Sequence, residues 1–175
     1  WVTCEFENVP AESLTKLQNH AKVRPGPHSF EITQDRLLEK RFAEEIGIPV
    51  PAFMAVEDQA QLADAVGHIG LPAILKSRSG GYDGKNQAVL RNHEDLESAF
   101  ESIGGRPAIL ETLVPFEFEA SAIVVRSTNG EIRSWPPIAN DHRGGILHTS
   151  TCPCPDLSEK NQKLIERHAA LIAEK

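Results

Sequence analysis

The sequence predicts an α+β fold: a small antiparallel sheet with helices, followed by the start of a second antiparallel sheet. Three observations predict it. Short apolar strands alternate with amphipathic helices between Ala52 and Leu113. Glycine-rich and Asn-Gly segments join strands that are too close together for a crossover helix. From about Phe116 onward the pattern changes to strands joined by turns.

The region before this sheet is predicted to hold short elements joined by turns. Leu38, Phe42 and Ile46 recur at helical spacing, and Gly47 supplies a stop signal directly after them. Two prolines and a glycine mark the preceding connector. The predicted elements are a strand at Val2–Phe6, a helix at Pro10–Asn19, a connector at Lys22–His28 and a helix at Thr33–Ile46.

The first sheet is predicted to contain four strands with two helices on one face. Asp58 and Asn92 have the side chains that cap helix N-termini, and each precedes a run with apolar residues at helical spacing. The predicted strands are Ala52–Val56, Ala73–Lys76, Gln87–Leu90 and Ala108–Thr112. The predicted buried positions of the helices are Leu62, Ala65, Val66 and Ile69, and then Leu96, Phe100 and Ile103.

The remainder is predicted to form a second antiparallel sheet and a helix. Phe118–Arg126 alternates as one long strand, and Asn129-Gly130 is a strong hairpin signal that leads into Glu131–Trp135. A further strand is predicted at Gly145–Ser150 and an amphipathic helix at Asn161–Lys175.

Composition and charge exclude several classes of protein. The net charge is −7 and the basic residues form no patch, which argues against a nucleic-acid partner. No apolar run approaches the roughly 20 residues that span a bilayer, and no secretory signal is visible. The three cysteines are odd in number and have no regular disulfide spacing, which favours a reducing, cytoplasmic location. Cys152 and Cys154 have the wrong spacing for a zinc knuckle and are interpreted as packing residues.

Lys76 and the segment after it form the strongest candidate site. The lysine follows three apolar residues, where a charge is costly unless it meets an anion. The glycines that follow, from Gly80 to Gly84, allow a backbone to approach a phosphate closely. From spacing alone the segment fits a phosphate loop or a flexible hairpin with Asp83-Gly84 as its turn.

The string Gly-Gly-Tyr-Asp-Gly-Lys-Asn-Gln at residues 80–87 resembles a family-specific loop of ATP-grasp enzymes. The match is to the 5-(carboxyamino)imidazole ribonucleotide synthases, which usually have glycine where this chain has Asn86. Asparagine tolerates positive φ best among the other residues, so the loop is expected to survive. Further matches in chain order are Gln34-Asp35-Arg36 with Glu39-Lys40, Gly47-Ile48-Pro49, Ile109-Leu110-Glu111, Phe118-Glu119-Ala120-Ser121, Asn140, His142 and Gly145-Ile146-Leu147.

The resemblance implies a role for each matching residue. Lys76 and Arg36 would meet the ATP phosphates, and the loop would close over them. Backbone groups of a hinge from Glu111 to Val114 would pair with adenine, and Glu119 would accept from the ribose hydroxyls. His142 would lie near the phosphates or the imidazole substrate. Lys76, Tyr82 and His142 are the candidate catalytic residues. The candidate nucleotide-binding residues are Arg36, Lys76, Gly81, Tyr82, Asp83, Gly84, Lys85, Asn86, Gln87, Glu111, Thr112, Leu113, Val114, Glu119 and His142.

Simpler interpretations of three of these residues stay open. Arg36 also fits an exposed ion pair on its own helix, Glu111 an ordinary strand end, and Glu119 a surface carboxylate beside Glu117.

The resemblance also implies the reaction and its partners. The substrates would be ATP, bicarbonate and 5-aminoimidazole ribonucleotide, with Mg²⁺ as cofactor and a homodimer as the full-length assembly. The magnesium ligands are expected beyond Lys175, so the fragment alone is expected to be inactive. Alternatives are another ATP-grasp ligase, of the formate-dependent transformylase or biotin carboxylase type, or a nucleotide-binding module without catalysis.

The expected organisation has three parts. Residues 1–32 would end an N-terminal domain, residues 33–113 would form an ATP-grasp lid subdomain, and residues 114–175 would start a second, truncated subdomain.

Overall fold

A computed structural model describes residues 1–80 and 86–175 of the chain. The chain divides into two compact units. Unit 1 comprises residues 1–45 and 49–113, and unit 2 comprises residues 46–48 and 114–175.

Unit 1 begins with three short helices. They are α1 (Ala11–Leu17), α2 (Pro27–Thr33) and α3 (Arg36–Glu45). Leu14 of α1 and Phe30 of α2 pack with Val23 in a small buried cluster. The predicted strand at Val2–Phe6 is wrong, because Val2 forms a single parallel bridge to Val23 and no ladder follows it.

The predicted single helix at Thr33–Ile46 is also wrong at its start. Helix α2 occupies part of the predicted connector, with Pro27 in the first turn, where a missing N–H costs nothing. A break follows α2, and Asp35 then caps α3 through its carboxylate, which accepts from the N–H groups of Leu37 and Leu38. The proline was a signal for a helix start as well as for a connector.

The main sheet of unit 1 confirms the predicted order of elements. Its strands are β1 (Phe53–Val56), β2 (Ala73–Ser77), β3 (Gln87–Leu90) and β4 (Ala108–Thr112), in the antiparallel order β1-β4-β2-β3. Helices α4 (Gln59–Ile69) and α5 (Leu96–Ser102) pack on one face. The fully buried core there includes Leu62, Leu75, Leu90, Ile103 and Leu110.

Both predicted helix caps of this sheet are confirmed. The Asp58 carboxylate accepts from the N–H of Gln61 at 2.9 Å. The Asn92 side chain accepts from Glu94 and Asp95 and caps a short 3₁₀ turn that runs into α5. Each cap satisfies backbone donors that have no partner within the helix.

Unit 2 contains two small antiparallel sheets and one long helix. Strands β5 (Glu119–Ser121), β8 (Ile138–Arg143) and β9 (Ile146–Thr151) form one sheet in the order β5-β8-β9. Strands β6 (Val124–Arg126) and β7 (Ile132–Ser134) form the other. Helix α6 (Glu159–Glu174) begins at Ser158, whose side chain accepts from the N–H of Asn161.

Two predictions for unit 2 need correction. The single strand predicted at Phe118–Arg126 divides into β5 and β6, which belong to different sheets. Strand β8 was not predicted, because its polar sequence from Asn140 to Arg143 lacks a buried apolar face. The predicted hairpin at Asn129-Gly130, the strand after it and the α+β class are confirmed. Within the described part of the chain, no helix is long and apolar enough to cross a membrane.

Candidate functional site

The face of the unit 1 sheet away from α4 and α5 holds a buried carboxylate and a lysine. Ile74 pairs with Glu111, and Lys76 pairs with Ile109, so Lys76 and Glu111 are diagonal neighbours on one face. The Lys76 ammonium lies 3.1 Å from Oε2 of Glu111. Strand register therefore places the lysine predicted from sequence beside the glutamate predicted from sequence.

A second lysine reaches the same carboxylate from helix α3. Nζ of Lys40 lies 3.3 Å from Oε2 of Glu111. The Glu111 side chain is 4% exposed, whereas those of Lys40 and Lys76 are 23% and 27% exposed. One carboxylate therefore faces two ammonium groups at the edge of the buried interior.

The second oxygen of Glu111 is unused within the described residues. Oε1 is buried and has no hydrogen-bond partner there. A buried acceptor without a partner is costly, so an N–H or O–H donor from a ligand would be favourable at this position.

Arg36 anchors the segment that leaves strand β2. Its Nη1 donates to the carbonyls of Ser77 and Gly80, each at 2.8 Å. Its backbone N–H donates to the carbonyl of Arg78 at 2.8 Å. Two of the five guanidinium donors are thus engaged with the backbone, which leaves three that can meet another acceptor. The exposed ion pair on its own helix, the simpler interpretation of Arg36, is not among the salt bridges of the described residues, in which α3 contributes Lys40.

Arg78 ties the same segment back to helix α3. Nη2 of Arg78 lies 2.6 Å from Oδ2 of Asp35, and Nη1 lies 3.1 Å from Oε1 of Glu57. Burial by itself raises the pKa of Asp35, but hydrogen bonds from Arg78, Leu37 and Leu38 outweigh it and lower that pKa. The hydrogen bond to Asp35 raises the pKa of Arg78 in turn. Arg36 of α3 therefore binds the end of β2, and Arg78, directly after β2, binds Asp35 at the start of α3.

A polar cavity of about 300 Å³ lies beside these residues. Burial raises the pKa of Glu39 at its wall, and the charges of Arg36 and Lys40 only partly offset this effect. Its lining includes Gln34, Arg36, Glu39, Arg78 and Gly80.

Unit 2 contains a separate polar site on its three-stranded sheet. Nδ1 of His142 lies 2.7 Å from Oε2 of Glu119, and the two side chains are 33% and 43% exposed. Strand β5 pairs Glu119 with Asn140, whose side chain contacts Ser121 and Ser150. A cleft of about 440 Å³ is lined by these strands and by Phe116 and Phe118. The structure therefore brings together Glu119 and His142, two of the unit 2 residues that the resemblance singled out.

In the hinge predicted at Glu111–Val114, two backbone N–H groups already have hydrogen-bond partners within the fold. The N–H of Thr112 donates to Ala52 at 2.9 Å, and the N–H of Leu113 donates to Pro72 at 3.2 Å. Val114 is 46% exposed. These two donors hold the end of β4, so adenine could pair only with the other backbone groups of the hinge.

The glycine-rich segment is described only at its ends. Asn86 has a φ of 60°, and its carbonyl accepts from the N–H of Ser77 at 3.0 Å. Gln87 begins β3 opposite Lys76. The predicted residues Gly81, Tyr82, Asp83, Gly84 and Lys85 lie outside the described residues.

Sequence reasoning missed the parts played by Lys40 and Arg78. Lys40 lies four residues after Arg36, so the two lie on one face of α3, and this spacing was the available signal. Arg78 lies two residues after Lys76, directly after the end of strand β2. Pairing with carboxylates 43 and 21 residues away could not be inferred from local sequence.

Within residues 1–80 and 86–175, no group of three or more His, Cys, Asp or Glu side chains could hold a metal ion. The described residues therefore supply no such ligand set for the Mg²⁺ that the resemblance implies.

Comparisons with known proteins agree with one another. N5-carboxyaminoimidazole ribonucleotide synthase of Pseudomonas aeruginosa is 47% identical over 149 residues, which is 85% of this chain and 41% of the relative. The Bacillus subtilis synthase is 38% identical over 99% of this chain and 44% of its own length. A crystal structure of an ADP complex of an N5-carboxyaminoimidazole ribonucleotide synthetase matches with a TM-score of 0.92 and 38% identity, over 97% of this chain and 45% of that one.

The chain thus spans less than half the length of these relatives. The family model described as the ATP-grasp domain matches residues 41–175, which is most of the chain. The chain therefore belongs to the ATP-grasp family.

Proposed function

We propose that this chain is part of an ATP-dependent carbon–nitrogen ligase that carboxylates 5-aminoimidazole ribonucleotide with bicarbonate. The products are 5-(carboxyamino)imidazole ribonucleotide, ADP and phosphate, which places the enzyme in purine biosynthesis. The observation that supports this most is the 47% identity to the Pseudomonas aeruginosa synthase over 149 residues. Lys76 lies near the end of strand β2, whose last residue, Ser77, accepts a hydrogen bond from Arg36, and this arrangement gives the similarity a physical basis.

The proposed chemistry has two steps. An oxygen of bicarbonate attacks the γ-phosphorus of ATP, the bond to the bridging oxygen of ADP breaks, and carboxyphosphate forms. The exocyclic nitrogen of the ribonucleotide then bonds to the carboxyl carbon, phosphate leaves, and the nitrogen loses a proton. Such phosphoryl transfer depends chiefly on positioning and on charge neutralisation.

In unit 1, Lys76 and Arg36 are proposed to neutralise the phosphates. Lys76 provides a half-buried ammonium, which interacts more strongly with an anion than a fully solvated one does. The three remaining donors of Arg36 suit a bidentate contact with phosphate oxygens. Residues 81–87 are proposed to cover the phosphates and to exclude water from carboxyphosphate, with Tyr82 contacting the substrate.

The adenine is proposed to meet the hinge at Glu111–Val114. The buried Oε1 of Glu111, which has no partner among the described residues, would accept from the exocyclic amine of the base. The N–H groups of Thr112 and Leu113 are already used by Ala52 and Pro72. This leaves the remaining backbone groups of the hinge for the ring.

In unit 2, Glu119 is proposed to accept from the ribose hydroxyls. Its Oε2 contacts His142, so Oε1 is the oxygen proposed for the sugar. His142 is proposed to lie near the phosphates or the imidazole substrate, with Glu119 fixing the orientation of its ring.

The domain boundaries, the metal, the assembly and the location belong to the same proposal. Residues 33–113 are proposed as the lid subdomain, residues 1–32 as the end of a preceding domain, and residues 114–175 as the start of the next one. Mg²⁺, bicarbonate, a homodimer and a cytoplasmic location are proposed for the full-length protein, with the metal ligands outside this sequence.

The test is ADP release by the full-length protein with Mg-ATP, measured by a coupled assay with bicarbonate and the ribonucleotide varied separately. Release that requires bicarbonate and rises with 5-aminoimidazole ribonucleotide is expected. Release driven by formate or biotin would replace the proposal with another ATP-grasp ligase. Nucleotide binding with no release under any of these conditions would leave a non-catalytic binding module.

A further inference from the structure

The carboxylate of Glu111 is shared by two lysines through a single oxygen. Lys76 reaches Oε2 from the sheet at 3.1 Å, and Lys40 reaches it from helix α3 at 3.3 Å. The side chain of Glu111 is 4% exposed, so the pairing takes place away from bulk solvent. Two elements that are distant in sequence thus meet at one atom.

The formal charges of this cluster do not cancel. One carboxylate neutralises one ammonium, and the three groups together are left with one positive charge. Arg36, on the same face of α3 as Lys40, adds a further positive charge, and the neighbouring carboxylate of Glu39 offsets it when ionised, so the net positive charge of the cluster remains. An uncompensated charge at a half-buried position is costly and is relieved by an anion.

Without Lys40 the net charge around Glu111 would be different. Lys76 and Glu111 alone would form a neutral pair, and the attraction of Lys76 for a phosphate would be largely cancelled by the carboxylate 3.1 Å away. With Lys40 present, the carboxylate is neutralised from its other side. The positive charge of Lys76 then remains available to a ligand.

We propose that Lys40 is a positioning residue, which neutralises Glu111 and thereby leaves the ammonium of Lys76 free to attract a nucleotide phosphate. This inference rests on the proposed nucleotide site and assigns Lys40 no contact with the ligand. It differs from a purely structural pairing in what it predicts. A structural pair would affect the binding of a charged and an uncharged ligand alike, whereas the charge balance affects only the charged one.

The experiment uses the full-length protein and two ligands, ADP and adenosine, with affinities measured by calorimetric titration and competition. Lys40→Gln removes the charge but keeps an N–H donor for Oε2, so the fold is expected to persist. ADP affinity is expected to fall about tenfold, because the nearby cluster loses its net charge. Adenosine affinity is expected to stay within about twofold, and Lys40→Arg is expected to bind ADP within about threefold of the wild type.

Lys16→Met is the matched control. Lys16 lies in unit 1 on the exposed surface of α1, where its partner is Glu12 at 2.8 Å, so the same charge is removed away from the cluster. Wild-type ADP affinity is expected for this variant. Thermal unfolding of each variant shows whether the fold is retained, and Lys40→Arg tests the charge even if Lys40→Gln does not fold.

Three outcomes would overturn the inference: unchanged ADP affinity in Lys40→Gln, an equal loss for ADP and adenosine, or a loss in Lys40→Arg as large as in Lys40→Gln. The bicarbonate assay separates this result from the proposed activity. A protein whose ADP binding depends on Lys40 but whose ADP release ignores bicarbonate would retain the inference and lose the proposed function. A wild-type protein that binds neither ligand would end both.

Discussion

The two units of the chain differ in how far their strands are buried. In unit 1, strand β4 is buried from Ala108 to Glu111, and both core clusters found among the described residues belong to this unit. In unit 2, strand β9 is exposed along its whole length, and the buried residues are Pro137 and Ala169. A charged group is therefore held in unit 1 by a packed interior, whereas unit 2 holds its polar groups on open sheet surfaces. The difference matters because electrostatic interactions strengthen as water is excluded.

The largest expected effect tests burial itself. Leu110→Ala removes a fully buried side chain from the unit 1 core and is expected to lower the free energy of unfolding by about 2–5 kcal/mol. Leu147→Ala in unit 2 removes a side chain that is 52% exposed, and a change within about 0.5 kcal/mol is expected. Urea unfolding of the 175-residue chain, followed by far-ultraviolet circular dichroism, measures both. Equal losses would break the comparison, because Leu147 would then be covered by something that the structure does not describe.

The same difference explains what the sequence could predict. The four strands and two capped helices of the unit 1 sheet follow from apolar periodicity, because burial on one face imposes that period on the sequence. Strands β5, β6 and β8 have no fully buried face that would impose such a period. Strand β8 and the break between β5 and β6 were therefore missed. Alternation in Phe118–Arg126 predicted extended backbone but not which sheet each half joins.

The candidate site shows a similar limit. Lys76 and Glu111 could be predicted because each directly follows three apolar residues in its strand, and the register of β2 and β4 then brings them together. Lys40 was present in a matching motif but had no assigned role, since its partner lies 71 positions further along the chain. Contacts between distant elements depend on tertiary packing, which periodicity in one segment does not encode.

A smaller effect is expected from the ion pair between α3 and β2. Asp35→Asn breaks a part-buried pair with Arg78 and is expected to cost on the order of 1–2 kcal/mol at neutral pH. Because the pKa of Asp35 is lowered in the fold, its contribution is present above the ordinary value of 3.8 and is lost as the pH falls through the lower folded value. The difference between wild type and variant in urea unfolding is therefore expected to shrink below about pH 3.8.

The control for this pair lies in unit 2. Nε of Arg143 lies 3.2 Å from Oδ2 of Asp141, two residues away on the same strand. The side chains of Asp141 and Arg143 are 55% and 67% exposed. Asp141→Asn is expected to change the free energy of unfolding by less than about 0.5 kcal/mol. A cost at Asp141 that matches the cost at Asp35 would show that burial does not set the strength of these pairs.

The smallest expected effects concern two residues with positive φ, one in each unit. Asn86 has a φ of 60° and Asp156 a φ of 58°. Ala at either position is expected to cost about 1 kcal/mol, because its Cβ crowds the backbone in this conformation. Gly removes that strain but gains freedom in the unfolded chain, so Asn86→Gly and Asp156→Gly are each expected to change stability by only a few tenths of a kcal/mol.

The alanine variants then sharpen the comparison between the units. The carbonyl of Asn86 accepts from the N–H of Ser77 at the base of the hairpin that contains Lys76, so strain at this position acts on the strand that presents the ammonium. Asn86→Ala is therefore expected to weaken ADP binding as well as stability, whereas Asp156→Ala is expected to affect stability alone. Calorimetric titration of both variants with ADP measures this difference. Equal ADP affinities for the two variants would mean that the Lys76 ammonium does not depend on the geometry of residue 86, and that the packed interior of unit 1 is sufficient to hold it.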